Sequence, residues 1–254
     1  MRKKKWVVPN YNIFKLKEKR TKYCLLIPVL NEGNRFFLQL DKVKSFYNKI
    51  DIIIADGGSS DDSVNLSTLR RKNVSTLLVK KKIGGLSAQL RMGFEYALNL
   101  SYLGIITVDG NNKDNLNSIP LFIKELDRGY DFVQGSRYLK GGKSINTPLI
   151  RTLAIKFIHV PIINYISKFK FTDTTNGFRA YSSKYLLHSD VQPFRDLFKT
   201  YELLGYLSVK APKLGLLTKE IPTTRSYPPK GQVPTKIKGF KGNFVLLKIL
   251  FLLY

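Results

Sequence analysis

The chain has 254 residues, of which 43 are Lys or Arg and 18 are Asp or Glu, a formal charge of +25. An apolar share of 43% excludes a disordered chain, and a single cysteine excludes internal disulfides. A surface this basic is expected to meet polyanions: nucleic acid, anionic headgroups or phosphorylated substrates.

Residues 1–22 are basic and weakly patterned, expected as an extended arm or an edge. Three short apolar runs follow, "KYCLLIPVL" (22–30), "KIDIIIADG" (49–57) and "LGIITVDG" (103–110). Their unbroken Ile, Val and Leu content predicts strands buried on both faces, as in a parallel sheet. Cys24, inside the first run, reads as a core residue. "NRFFLQLDKVKSFY" predicts a helix between the first two runs. "SSDDSVNLSTLRR" predicts a helix capped by Ser59, Ser60 or Asp61, and "LSAQLRMGFEYALNL" (86–100) one with Ser87 as its cap. "TLLVK" (76–80) is a further strand candidate. This alternation argues for a doubly wound sheet with ligands at the carboxyl ends of its strands.

A helix at about 118–128 leads into a fourth strand, "DFVQGSRYLKGG". Beyond residue 140 come an apolar helix pair around 149–169, the segment "TDTTNGFRAY", the helix "YELLGYLSVKAPKLG" and a basic, proline-containing tail. No stretch reaches the roughly 18 uninterrupted apolar residues of a membrane-spanning helix. No apolar segment follows the N-terminal charges, so a signal peptide is not expected. "IKFIHVPIINYI" (155–166) and "FVLLKILFLLY" (244–254) fit either core helices or helices lying on a bilayer beside basic residues.

The strand ends carry the candidate chemistry. Asp109 and Asn111, two apart in a tight turn, can aim oxygens at one Mg²⁺ or Mn²⁺ and leave room for diphosphate oxygens. An Asx-turn that only closes the strand uses the same residues. Asp56 precedes two glycines that would let a ligand approach the backbone, and Asn31 and Glu32 stand at the end of the first strand. The two histidines, His159 and His188, read as packing or surface residues.

Taken together and in order, these segments resemble family 2 glycosyltransferases of the GT-A fold, in the branch that includes dolichyl-phosphate mannose synthase. The resemblance runs over residues 23–226, through "LLIPVLNEG", "IIIADGGSSDDS", "GGLSAQLRMGFEYAL", "VDGNNKDN", "DFVQGSRYLKGG", "TDTTNGFRAY" and "KEIPTTR". It implies an α/β, Rossmann-like doubly wound mixed sheet with a C-terminal acceptor-side region of helices and loops. A nucleotide half (23–115) and an acceptor half (116–226) would form one domain between the basic arm 1–22 and a basic, apolar tail, 227–254.

The implied activity is transfer of a sugar, with inversion, from a nucleotide-sugar donor to a polyisoprenyl or other lipid-linked acceptor in surface polysaccharide or glycolipid synthesis. Carried over residue by residue, Pro28, Asn31, Glu32, Asp56 and Gly85 would hold the nucleotide. Asp109 and Asn111 would hold Mg²⁺ or Mn²⁺, and Arg137, Arg151 and Arg225 would meet phosphate oxygens. Asp173 and Glu202 are the catalytic candidates if the acceptor is a hydroxyl; an already anionic lipid phosphate needs no strong base. Arg179 is as readily structural. The chain departs from the pattern at Asn111, which replaces a second aspartate, and at Leu86, where many relatives have lysine; no transmembrane pair follows "KEIPTTR".

The expected place is peripheral, on the cytoplasmic face of the plasma membrane, with the C-terminal apolar helix meeting lipid or a second copy. Two alternatives compete. A nucleic-acid-binding module would account for the charge and the aromatic content, but acidic strand ends would repel a phosphate backbone. Nucleotidyl transfer would call for a glycine-rich loop near the N-terminus, and residues 1–30 contain none.

Overall fold

The computed structural model describes residues 6–82 and 85–228. An edge strand, β1 (Tyr11–Lys15), precedes the central β2 (Tyr23–Val29), followed by α1 (Asn34–Val43), β3 (Asp51–Asp56), α2 (Leu66–Arg71), β4 (Thr76–Lys80), α3 (Leu86–Asn99) and β5 (Gly104–Thr107). The second half runs α4 (Ile119–Asp127), β6 (Phe132–Ser136), β7 (Lys143–Ile145), α5 (Leu149–Ala154), α6 (Val160–Ser167), β8 (Arg179–Ser182) and α7 (Ser183–Leu187). It ends with α8 (Glu202–Lys213), β9 (Thr218–Pro222) and β10 (Thr224–Ser226).

β2 is buried at every position because its residues alternate between two cores. Cys24 and Leu26 pack with Leu90, Phe94 and Leu207 on one sheet face, while Leu25, Ile27 and Val29 pack with Phe36, Leu40 and Phe122 on the other. A strand with helices on both faces needs such a continuous apolar run. β2, β3, β4 and β5 pair in parallel as expected, and the full order is β1-β4-β3-β2-β5-β8-β6-β9. β8 enters antiparallel between β5 and β6, which makes the sheet mixed and joins the two halves. β7 and β10 form a separate parallel pair.

The chain runs outward from β2 through β3 to β4, then returns to pair β5 on the other side of β2. Ligands of open α/β sheets bind in the crevice at such a reversal. Local chemistry opens it here. β2 pairs with β5 only through Leu26, so Pro28, which lacks an N–H, costs no ladder bond on that side. Gly110 then crosses so close that an added Cβ would lie 3.0 Å from the Pro28 carbonyl oxygen.

The caps differ from expectation. Asn65, not Ser59, Ser60 or Asp61, caps α2, through a bond from the Thr68 N–H. Asp61 instead caps a short 3₁₀ turn, Asp62–Val64, by accepting from Ser63 N, and the hydroxyl-rich turn also holds the loop after β2. Ser59 Oγ accepts from Asn31 N, Asp61 from Gly33 N, and Ser63 Oγ from both Glu32 N and Gly33 N. At α3 the N-cap is Gly85, and Ser87 faces inward, accepting from Leu203 N at 3.1 Å.

α5, a π-helical turn (Ile155–His159) and α6 make one continuous helix. By length and composition it is apolar enough to cross a membrane, which corrects the expectation above. Counting uninterrupted apolar residues missed it because Arg151 and Lys156 break the run. It is not a core helix. Only Ile155, Ile163, Ile166 and Ser167 are buried, while Leu149, Ile150, Phe157 and Tyr165 are 72–74% exposed. The arm is also partly ordered: Trp6 stacks on Phe194 at 4.2 Å, and β1 pairs antiparallel with β4. The apolar stretch 244–254 lies outside the described residues.

The contact of α3 with the sheet gives a test. A Cβ at Gly93 would fall 2.3 Å from Leu26 Cδ1, so Gly93→Ala should cost about 1–3 kcal/mol by overpacking. Equilibrium urea unfolding measures this, and an unchanged midpoint would show that the helix–sheet spacing adapts freely.

Candidate active site

Asp109 lies two residues beyond β5, at the mouth of the crevice. Two features aim it. Gln39, buried on α1, donates to the Asp109 carbonyl at 2.9 Å and accepts from Asn112 N at 2.6 Å, fixing both limbs of the turn. Gly177 leaves room for the carboxylate, since a Cβ there would lie 2.5 Å from Oδ1. Asn111 sits on the same turn, its side-chain oxygen accepting only a long bond, 3.3 Å, from Lys113 N.

β10 supplies the countercharge. It runs beside 113–115, through Asn115 N to Thr224 O and Ser226 N to Lys113 O, and so carries Arg225 inward. Arg225 donates one Nη to Asp109 Oδ2 at 2.8 Å and the other to Asp114. Burial alone would raise the Asp109 carboxyl, yet Arg225, with Lys113 and Arg151, holds it below the ordinary carboxylate range. Burial pushes Asp114 up to about 6, against the pull of Arg225. Among the described residues its Oδ1 accepts no hydrogen bond.

Along the same turn lies a basic cleft of about 300 Å³, lined by Arg35, Asn111, Asn112, Lys113, Ser226, Tyr227 and Pro228. Tyr227 is a shared platform: Lys113 Nζ lies 4.7 Å from its ring centre, and the guanidinium carbons of Arg151 and Arg225 lie 5.8 Å from it. Burial lowers Lys113 to about 8, with Arg225 adding to the effect and Asp109 opposing it.

On the nucleotide side, Asp56 is fully buried and its oxygens accept from Gly58 N and Ser59 N, so it orders its own turn. Asn31, at φ 49°, is exposed and ties to that turn by accepting from Ser60 N at 2.8 Å. Glu32 pairs with Arg35 at 3.2 Å. Gly85 has a packing reason of its own, since a Cβ there would lie 2.6 Å from the Lys199 carbonyl oxygen.

The acceptor-side residues are placed otherwise than expected. Arg137, expected against phosphate, is buried and committed to Asp173, with Nε to Oδ2 at 2.7 Å and Nη2 to Oδ1 at 2.9 Å. Burial pushes the Asp173 carboxyl up, but Arg137 holds it below the ordinary range, and it has no exposed edge from which to take a proton. Glu202, the other expected base, accepts from Lys199 N, Thr200 N and Thr200 Oγ1, which shapes the loop before α8. Arg179 is structural, donating to Thr174 O, Asn176 O, Leu204 O and Ser208 Oγ.

Sequence reasoning missed Gln39, Gln89 and Glu220. Gln89 donates to Val29 O and Ala55 O, and Glu220 accepts from Thr172 N and Asp173 N. A glutamine on the apolar face of each helix was the available signal for the first two. Among the described residues no group of three or more His, Cys, Asp or Glu could hold a metal. Asp109 and Asn111 nevertheless offer two oxygens on one turn, a donor set that suits a hard cation completed by phosphate oxygens.

A switch-point crevice with one partly exposed carboxylate among fixed cations suits an anionic ligand. The match to known proteins is more specific. The family "Glycosyl transferase family 2" matches residues 24–190, and the chain belongs to it. It is a glycosyltransferase of GT-A fold, and neither the nucleic-acid-binding nor the nucleotidyltransferase reading is favoured.

Similar proteins include an undecaprenyl-phosphate mannosyltransferase from Micrococcus luteus, 24% identical over 78% of this chain and 81% of that one. A polyprenol monophosphomannose synthase from Mycolicibacterium smegmatis is 26% identical over 79% of this chain and 76% of that one. Among solved structures, glucosyl-3-phosphoglycerate synthase from Mycobacterium tuberculosis, in complex with Mn²⁺, UDP and phosphoglyceric acid, shares the fold. Its TM-score is 0.63 at 13% identity, covering 92% of this chain and 77% of that one.

The Arg137–Asp173 geometry separates a structural acid from a base. Asp173→Asn should lower stability by about 3–5 kcal/mol, because it leaves a buried guanidinium unpaired. The folded pKa is depressed, so the ion pair's contribution is present above the ordinary carboxyl value near 4 and fades as pH falls through the lower folded one. The stability gap between wild type and variant should therefore close only in acid below about pH 4. A gap closing near neutrality would contradict the assignment.

Proposed function

We propose that this chain transfers a sugar from a nucleotide-sugar donor to a lipid-linked phosphate, with the donor diphosphate seated at Asp109. The observation that carries the reading is Asp109, its turn held by Gln39 and its carboxylate seated against Gly177, paired with Arg225 beside a cleft that Arg35 and Lys113 line. Asn31 and Glu32 border the nucleoside end with Pro28 beneath, and Asp56 and Gly85 act by shaping the turns around it. Arg225 and Arg151 neutralise phosphate oxygens. Mg²⁺ or Mn²⁺, held by Asp109 and Asn111, would offset the charge that builds on the departing nucleoside diphosphate. The Mn²⁺ in the Mycobacterium tuberculosis structure supports a divalent ion of this kind.

The acceptor reading rests on two supports. The names of both mannosyltransferase relatives specify polyprenyl phosphates. In addition, Asp173 and Glu202 are already bonded within the fold, which suits an acceptor that arrives anionic and needs no base. Arg137, oriented by Asp173, then serves to hold the loop before the acceptor.

The exposed face of α5–α6 is the natural contact with a bilayer. Leu149, Ile150, Leu153, Phe157 and Tyr165 point outward, Lys156 lies on the same helix and Lys168 just past its end, and Arg151 reaches inward to Tyr227. This face supports a peripheral position on the leaflet that carries the acceptor.

A panel of nucleotide sugars, scored by thermal stabilisation with and without Mn²⁺, should return one nucleoside diphosphate whose effect disappears in Asp109→Ala. Stabilisation by none of them would overturn the donor site. In flotation assays the protein should bind vesicles containing phosphatidylglycerol, and Leu149→Ser combined with Phe157→Ser should reduce the bound fraction at least about fivefold. Unchanged flotation would move the membrane contact elsewhere.

A further inference from the structure

We infer that the fixed cations of the cleft impose an order of binding: the donor diphosphate enters first and the divalent cation second, with Lys113 a diphosphate-binding residue. The inference rests on the donor-site reading above and goes beyond it by assigning Lys113 and the dependence of the metal on the nucleotide.

Asp109 is the carboxylate that would hold a metal, and in the free enzyme it already has a cation. Arg225 donates to its Oδ2 at 2.8 Å while also bonded to Asp114. Lys113, Arg151 and Arg225 all lie against the Tyr227 ring, and Arg35 lines the cleft with Lys113 and Tyr227. A bare divalent ion approaching Asp109 must compete with Arg225 and meets repulsion from the rest, and the amide of Asn111 brings no charge against it. A diphosphate meets the opposite field. Its oxygens suit the guanidinium forks and the Lys113 ammonium. Once bound, it draws Arg225 toward its own charge and adds ligands for the metal. Each ligand must then strengthen the other by the same factor, because binding linkage is reciprocal.

Lys113 is four residues beyond Asp109, on the loop that β10 holds through Ser226 N to Lys113 O. Its main chain is therefore anchored independently of its ammonium. A methionine there keeps the apolar stem and removes the ammonium.

The test measures binding on the full chain, with UDP and GDP as probes. Calorimetry in EDTA reads the metal-free diphosphate, and ultrafiltration reads protein-retained Mn²⁺, with Asp109→Asn as the blank. Wild type should bind one diphosphate without metal. It should retain Mn²⁺ at least about tenfold more tightly once that diphosphate is present. Lys113→Met should weaken metal-free diphosphate binding about tenfold and tighten Mn²⁺ alone, and Lys113→Arg should restore the wild-type pattern. A purely structural lysine would not produce that rise in metal affinity.

Mn²⁺ retained equally with and without nucleotide, or Lys113→Met leaving both affinities unchanged, overturns the inference while the donor site stands. Binding of neither diphosphate in any combination overturns the donor-site reading and this inference with it.

Discussion

Arg225 is the interaction on which the two halves of the molecule depend. It belongs to β10, the last strand before residue 228, yet its side chain ends between Asp109 and Asp114 in the loop after β5. The loop after β5 contributes two acids, Asp114 buried and Asp109 partly exposed, that need a cation to sit together, and β10 contributes that cation. Everything around them keeps this meeting in register. Backbone bonds tie 224–226 to 113–115, β7 pairs with β10 from the other side, and Gln39 fixes the turn that carries Asp109. The site is therefore assembled by tertiary structure more than by any one loop.

That dependence explains which parts of the molecule were legible in the sequence. β2, β3 and β5 could be read because a strand buried on both faces writes its environment directly into its residues, as the unbroken burial of Tyr23–Val29 shows. Asp56 and Asp109 could be placed because a carboxylate ending an apolar run marks a strand end. The partners could not. Arg137 and Asp173 are 36 residues apart, Gln39 and Asp109 are 70 apart, and no local pattern announces either bond. Resemblance offered Arg137 for phosphate and Asp173 for base chemistry, and only the packed structure reveals that each engages the other. The antiparallel entry of β8 was illegible for the same reason, since sheet order is not a local property.

Caps and the long helix show a different limit. Ser59 and Ser87 are good helix caps by type, but the β2 loop and the α8 entrance compete for their hydroxyls and win, while Asp61 both caps a 3₁₀ turn and accepts from the β2 loop. In the 149–167 helix, an apolar sequence is compatible with burial or with exposure. The difference lies in whether neighbouring elements arrive to cover it, and here they cover one side only.

One contact has a consequence for how the family's variation should be read. Asp109 rests against Gly177 at a distance that no side chain could share. The reach of the acidic group is thus controlled from another segment by an atom that is missing. Replacing Gly177, even by alanine, would not remove a functional group or touch a ligand directly. It would rotate the carboxylate, and the damage would read as a lost acid although Asp109 was still present. In a comparison of related chains, position 177 should therefore vary together with position 109, and an alignment column of glycine would be recording the shape of an anion's seat.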